Sequence, residues 1–350
     1  MIVRYSSRLT MRTSKTSVLA ALLLATAVQA DAPHLHLAKR WSVPGEGGWD
    51  YLTPDATARR LYVTHSTGVD VLDLDQGKPL GRIEPTLGVH GVALAPELNR
   101  GFVSCGRDSS VLVFDLKTLA TVQRIALPAR NPDAILYEPS TRRVFTFNGG
   151  SANTTAIDAA TDSVLGSVSL GGKPEFAVSD GRGRVFVNIE DTSELVELDP
   201  RGLAVLRRWP LAPGEEPSGL AMDREHRRLF SVCGNGTMVV SDADSGRVIA
   251  NLPIGKGTDG AAFDPSRGLA FSSNGEGTVS VVREESPARF SVVETDSTER
   301  GARTIALDEK TGRVFSVTAS FGPPPEPTAE HPRPRPTILP GTFRVLVLSR

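Results

Sequence analysis

Arg60-Leu61-Tyr62-Val63 is a short tract, a basic residue and then apolar ones, that returns along the chain. Its counterparts are Arg100-Gly101-Phe102-Val103, Arg143-Val144-Phe145-Thr146, Arg184-Val185-Phe186-Val187, Arg228-Leu229-Phe230-Ser231, Gly268-Leu269-Ala270-Phe271 and Arg313-Val314-Phe315-Ser316. Successive tracts start 40, 43, 41, 44, 40 and 45 residues apart. A unit of that length cannot bury its own apolar face, so neighbours must stack on it, and a period in the low forties suits four short strands. Seven units predict an all-β, seven-bladed propeller of four-stranded antiparallel blades.

The second unit shows the plan. Gly91–Ala95, Gly101–Cys105, Val111–Asp115 and Val122–Leu127 read as strands, with turns at Pro96–Asn99, Gly106–Asp108 and Leu116–Leu119. Five-residue apolar runs punctuated by Gly, Pro, Asn and Asp are what antiparallel hairpins need. An aspartate ends the third strand in five units, at Asp73, Asp115, Asp158, Asp199 and Asp242. Turn formers follow each one, so these carboxylates are expected to accept backbone N–H bonds rather than to bind ligands. The seventh unit lacks a fourth strand. Lys39-Arg40-Trp41-Ser42-Val43-Pro44-Gly45 resembles Arg207-Arg208-Trp209-Pro210 in the fourth strand of unit four, so residues 35–43 are expected to close the ring. Closure removes two sheet edges that would otherwise invite pairing with other chains.

Residues 1–30 stand outside the array. Arg4, Arg8, Arg12 and Lys15 precede an apolar run from Val18 to Val28, and small residues flank a predicted cleavage after Ala30. This pattern is that of a secretory signal peptide, with Met1 or Met11 as its start, and its apolar core is too short to span a bilayer. The expected arrangement is therefore a signal peptide at 1–30 and a single propeller domain at 31–350, in the periplasm or outside the cell. Removing 1–30 leaves 35 Lys and Arg against 40 Asp and Glu. That balance does not favour nucleic acid or an anionic membrane. A monomer with no membrane span after cleavage is expected.

The Arg60-Leu61-Tyr62-Val63-Thr64 tract, the Asp-rich turns and the period together resemble the YVTN repeat. Over residues 35–350 the chain is similar to the YncE-like group of exported seven-bladed propellers. The resemblance implies the fold; related propellers include binding proteins, dehydrogenase subunits, lactonases and lyases, and no catalytic motif carries over residue by residue.

Used as a ruler, the repeat gathers distant residues. Nine or ten positions before each tract lies the start of an inner strand: Asp50, His90, Asp133, Glu175, Ser218, Asp259 and Arg303. The second strand ends at His65, Cys105, Asn148, Asn188, Cys233, Asn274 and Thr318. In antiparallel blades both sets are expected to border one mouth of the channel. Asp50, His65, His90, Asp133, Asn148, Glu175, Asp259, Asn274 and Arg303 are the candidate ligand-binding residues. Clustered carboxylates need a cation to stay ionised, or else they take up protons. No cofactor is required by the sequence; if a divalent metal binds, Asp50, His65 and His90 are its candidate ligands.

Phe321–Pro340 inserts a proline-rich loop into blade seven, a candidate cover that would bring Glu330, His331, Arg333 and Arg335 to the mouth. Cys105 and Cys233 lie three blades apart, too far to bond. His34, His36 and His226 read as solvated surface. Two functions stay open. One is a non-catalytic propeller binding a small molecule, ion or protein partner at its mouth. The other is a metal-assisted hydrolase or lyase working in the channel, or an accessory subunit of a periplasmic redox complex.

Overall fold

In the computed structural model the described residues are 1–3, 6, 34–328, 334 and 336–350. The segment read as a signal peptide lies almost wholly outside them, as do Glu330, His331, Arg333 and Arg335 of the expected lid. No described helix is long and apolar enough to cross a membrane.

Seven four-stranded antiparallel sheets form the body, within the unit Pro33–Arg350. Their inner strands are Trp49–Asp55, Val89–Ala95, Pro132–Glu138, Pro174–Ser179, Pro217–Asp223, Thr258–Asp264 and Ile305–Asp308. Each inner strand packs on the next, and the last packs on the first, so the blades close a ring. The repeated tract is the second strand of every blade. Its aromatic residue (Tyr62, Phe102, Phe145, Phe186, Phe230, Phe315, with Phe271 one position on) is buried to 2% exposure or less. These rings fill the space between neighbouring blades, where truncating one to alanine costs about 3–5 kcal/mol.

The strand His36–Ser42 is outermost in the sheet that contains Ile305–Asp308, Arg313–Thr318 and Arg344–Ser349, and it pairs antiparallel with the last of these. Its Trp41 lies over Gly77, in the outer turn of blade one, where a Cβ would stand 2.1 Å from the indole. Trp209 of blade four meets Gly246 of blade five in the same way, at 2.0 Å. Both glycines hold φ of +71°. Only glycine takes that backbone freely and leaves room for the ring. Resemblance between the two Trp segments thus has a packing cause: each tryptophan on an outer strand needs a glycine turn in the following blade.

Asp73, Asp115, Asp158, Asp199 and Asp242 all accept N–H bonds from the residues two or three positions on, as turn aspartates do. At the base of the proline-rich loop, Phe321 and Ile338 form an antiparallel bridge, and the Phe321 ring lies 6.0 Å from Trp49. Cys105 and Cys233 are free and buried.

Candidate functional site

Asp50, His90, Asp133, Glu175, Ser218 and Asp259 are each the second residue of an inner strand, and Arg303 stands two residues before the seventh. A local feature re-aims them. In the first six blades the pairing between inner and second strand slips at this point, for example between Trp49 and Leu52 and between Val89 and Val92. Such a bulge leaves residues unpaired and turns the strand, a device common beside functional sites.

The side chains released in this way meet across blades. His90 Nδ1 donates to Asp50 Oδ2 at 2.7 Å and lies 3.5 Å from Asp133 Oδ1. Arg303 donates to Asp259 and reaches to 3.7 Å from Asp50 Oδ1. The result is an unbroken arc, Asp259–Arg303–Asp50–His90–Asp133, over blades six, seven, one, two and three. Glu175 of blade four has its own partner, Lys173, whose Nζ is 2.7 Å from Oε1 and also binds Glu190. Ser218 of blade five donates its hydroxyl to the Thr258 carbonyl.

The arc holds more negative charge than positive. Burial pulls the His90 imidazole down, but the hydrogen bond to Asp50 and the charge of Asp133 outweigh it, so its pKa stands above the ordinary value. Burial pushes the Asp133 carboxyl up; the His90 charge opposes that rise and the Asp50 charge adds to it. The Glu175 carboxyl is pushed up to about 7 by burial, with Lys173 pulling it back and Asp133 adding to the rise. The upward push on the Asp133 and Glu175 carboxyls makes this mouth a place where a positive group would be welcome.

Three expected residues lie elsewhere. His65, Asn148 and Asn274 are 0–1% exposed and belong to the interior of their blades. His65 bonds Asp70 at 3.2 Å and stacks on Phe343, ring centres 4.0 Å apart, so it does not join Asp50 and His90. Asn148 donates to Asn153 and Thr155, and Asn274 to Thr278 and Ser280. The physical reason is that the second strands pair on both edges and lie one strand outboard of the channel. The metal-ligating geometry changes accordingly: among the described residues, Asp50, His90 and Asp133 offer donor atoms within 4.8 Å of one another. Asp133 replaces His65.

Residues not singled out from sequence complete the site. Tyr51 packs on Phe176, ring centres 5.2 Å apart, and its nearness opposes the rise of the Asp133 carboxyl. Asn131 lies beside His90 and adds to the rise of its pKa. A signal for them was available. The position after each mouth residue reads Tyr51, Gly91, Ala134, Phe176, Gly219, Gly260 and Thr304, so two aromatics stand among small residues. The two rings help line a cavity of about 70 Å³ below the mouth. Ligand pockets for organic molecules run to ~300–1,000 Å³. A cavity of that size beside the charged residues holds an ion, a few waters or a small head group rather than a large organic molecule.

No protein-family model matches the chain. It is 31% identical over 246 residues to Antigen Lp49 of Leptospira interrogans serogroup Icterohaemorrhagiae serovar copenhageni, a match covering 63% of this chain and 50% of that protein. The chain thus matches half the length of that relative. Among solved structures it is similar to a chain of Kuenenia stuttgartiensis hydrazine synthase, with a TM-score of 0.67, 15% identity, and coverage of 78% of this chain and 94% of that one. It is also similar to U3-55K, with a TM-score of 0.72, 9% identity, and coverage of 88% and 98%. At such identities the likeness shows the β-propeller fold.

Proposed function

We propose that the chain is an exported, non-catalytic propeller whose mouth binds a small cationic ligand, or a cationic group on a larger partner. The observation that carries this reading is the arc of Asp259, Asp50, Asp133 and Glu175 around two cations and one imidazole, with the Asp133 and Glu175 carboxyls raised by burial. A ligand's positive charge would let both ionise, and their charge would in turn hold it. The small cavity beneath favours a head group or ion over a large buried molecule. Export rests on residues 1–30 and on the resemblance to YncE-like propellers; a relative named as an antigen agrees with it.

Calorimetric titration with alkylamines and basic amino acids, in chelator at pH 7.5, tests the reading. At least one amine is expected to bind, with affinity falling tenfold or more in Asp133→Asn. If none binds at millimolar concentration, or if Asp133→Asn leaves affinity unchanged, the reading fails. The second reading, metal-assisted hydrolysis or elimination, draws on the Asp50, His90 and Asp133 donor atoms. Metal retained by the wild type and lost in His90→Ala would favour it.

A further inference from the structure

Glu284 is the residue that breaks the repeat on the opposite face. In four blades the basic residue of the repeated tract stands opposite the turn aspartate: Arg60 with Asp73, Arg100 with Asp115, Arg143 with Asp158 and Arg228 with Asp242. In blade six Leu269 takes the place of the arginine and pairs with Arg283. The third strand, Thr278–Ser286, also runs on past the usual turn, and Glu284 occupies the place held by Leu74, Leu116, Ala159 and Ala243 in other blades, its backbone N–H donating to the Gly268 carbonyl as theirs do to Arg59, Asn99, Arg142 and Arg227. A carboxylate thus stands where those blades bury an apolar side chain.

What remains is a carboxylate in an unusual position. The Glu284 side chain is 3% exposed, and among the described residues neither of its oxygens has a hydrogen-bond partner. Its neighbours come from the end of the inner strand of blade five. His226 Nδ1 lies 3.2 Å from Glu284 Oε1 and 2.6 Å from Asp223 Oδ2. Asp223 is 4% exposed, and its other oxygen accepts the Glu225 N–H. Arg228 lies near but is held by Asp242 at 2.8 Å. Other buried carboxylates on this face have full sets of partners: Asp308 has Arg59, Asp180 has Arg227, and Glu138 has Ser140 and Thr141. Here two carboxylates share one imidazole.

We infer that Asp223, His226 and Glu284 form a divalent-metal site, best suited to zinc, that ties blade five to blade six on the face away from the mouth. The three donor atoms lie within 4.8 Å of one another. One imidazole nitrogen and two carboxylate oxygens form a borderline donor set that zinc accepts. Tetrahedral bonds of ~2.0–2.1 Å place ligand atoms about 3.3 Å apart, so the existing 3.2 Å separation needs no change and the 2.6 Å one a small opening. His226 is 43% exposed, which gives its ring freedom to adjust and leaves the fourth position open to water. A metal ion would supply the charge that Glu284 lacks. Buried and without a cation other than the shared imidazole, that carboxylate is costly as it stands.

The test uses tag-free mature protein, stripped with chelator and dialysed at pH 8, where imidazole offers its lone pair to a metal. Zinc is titrated by calorimetry and retained metal is counted by elemental analysis. One zinc per chain is expected, together with a rise in melting temperature. Binding should weaken at least tenfold in Glu284→Gln and in His226→Ala, and should persist in Asp133→Asn, which disturbs only the mouth. Glu284→Gln is nearly isosteric; His226→Ala changes an exposed side chain and serves as the independent variant if the first does not fold. The inference is overturned if no zinc is retained, if the double variant still binds it, or if zinc is lost in Asp133→Asn but kept in Glu284→Gln.

Discussion

Two rings of residues end up at the same side of the propeller, one strand apart, and they have different fates. The inner ring, Asp50 through Arg303, is partly exposed except for the buried Ser218, and five of its members are linked across blades by charge. The second ring, His65 through Thr318, is buried at 1% exposure or less, and apart from the His65–Asp70 contact its polar members are bonded by neutral groups. Both rings are polar, and both sit at strand ends. The difference is the bulge. In the first six blades it frees the inner residue from the sheet ladder, whereas His65, Cys105, Asn148, Cys233 and Asn274 remain paired on both edges. Polarity at a strand end therefore does not let a side chain reach those of other blades; freedom from the ladder does.

The comparison can be broken most forcefully at His65. His65→Ala removes a ring stacked on Phe343 and leaves Asp70 with Arg82 alone. A loss of about 2–4 kcal/mol is expected from the cavity and the lost contacts. Chemical denaturation would show it, while amine binding at the mouth stays as in the wild type. An equal loss of binding would put His65 back in the site.

A smaller effect of opposite sign is expected from the inner ring. Folding raises the Glu175 carboxyl from 4.5 to about 7. Between those values the unfolded chain gives up its proton first, so the wild type loses stability as pH rises through this window and does not regain it above. Glu175→Gln has no proton to lose. Relative to the wild type it should gain about 1–3 kcal/mol at pH 8 compared with pH 4.5, as read from urea unfolding. A flat difference across that range would mean that Glu175 is not held in its neutral form.

The smallest effect is expected at the second ring's thiols. Burial pushes Cys233 up to about 12 and Cys105 above its ordinary value, so neither offers a thiolate. Iodoacetamide should label neither in the folded protein and both after unfolding. Labelling of native Cys105 would show that the second ring opens to the mouth.

Much of this was legible beforehand. Each tract carries a strand signal and an aromatic for the space between blades, and seven of them fix the number of blades. Counting back from them located the inner ring to the residue. His65, Asn148 and Asn274 were misplaced because a residue count gives a strand end without telling which edges are paired. Lys173, Asn131 and Tyr51 were missed because they sit beside the counted positions rather than on them. Blade six showed its irregularity in sequence, where no arginine opens the tract, but nothing there said that Glu284 is buried.

The sequence by itself determined the architecture, because a periodic apolar pattern has few ways to bury itself and stacking into a ring satisfies every copy alike. Tertiary structure alone decided which polar residues meet. Whether His90 faces Asp50, His65 faces Phe343 or Glu284 is left without a partner depends on bulges, strand extensions and contacts between blades. Those arise between residues tens to hundreds of positions apart, where no local pattern reaches.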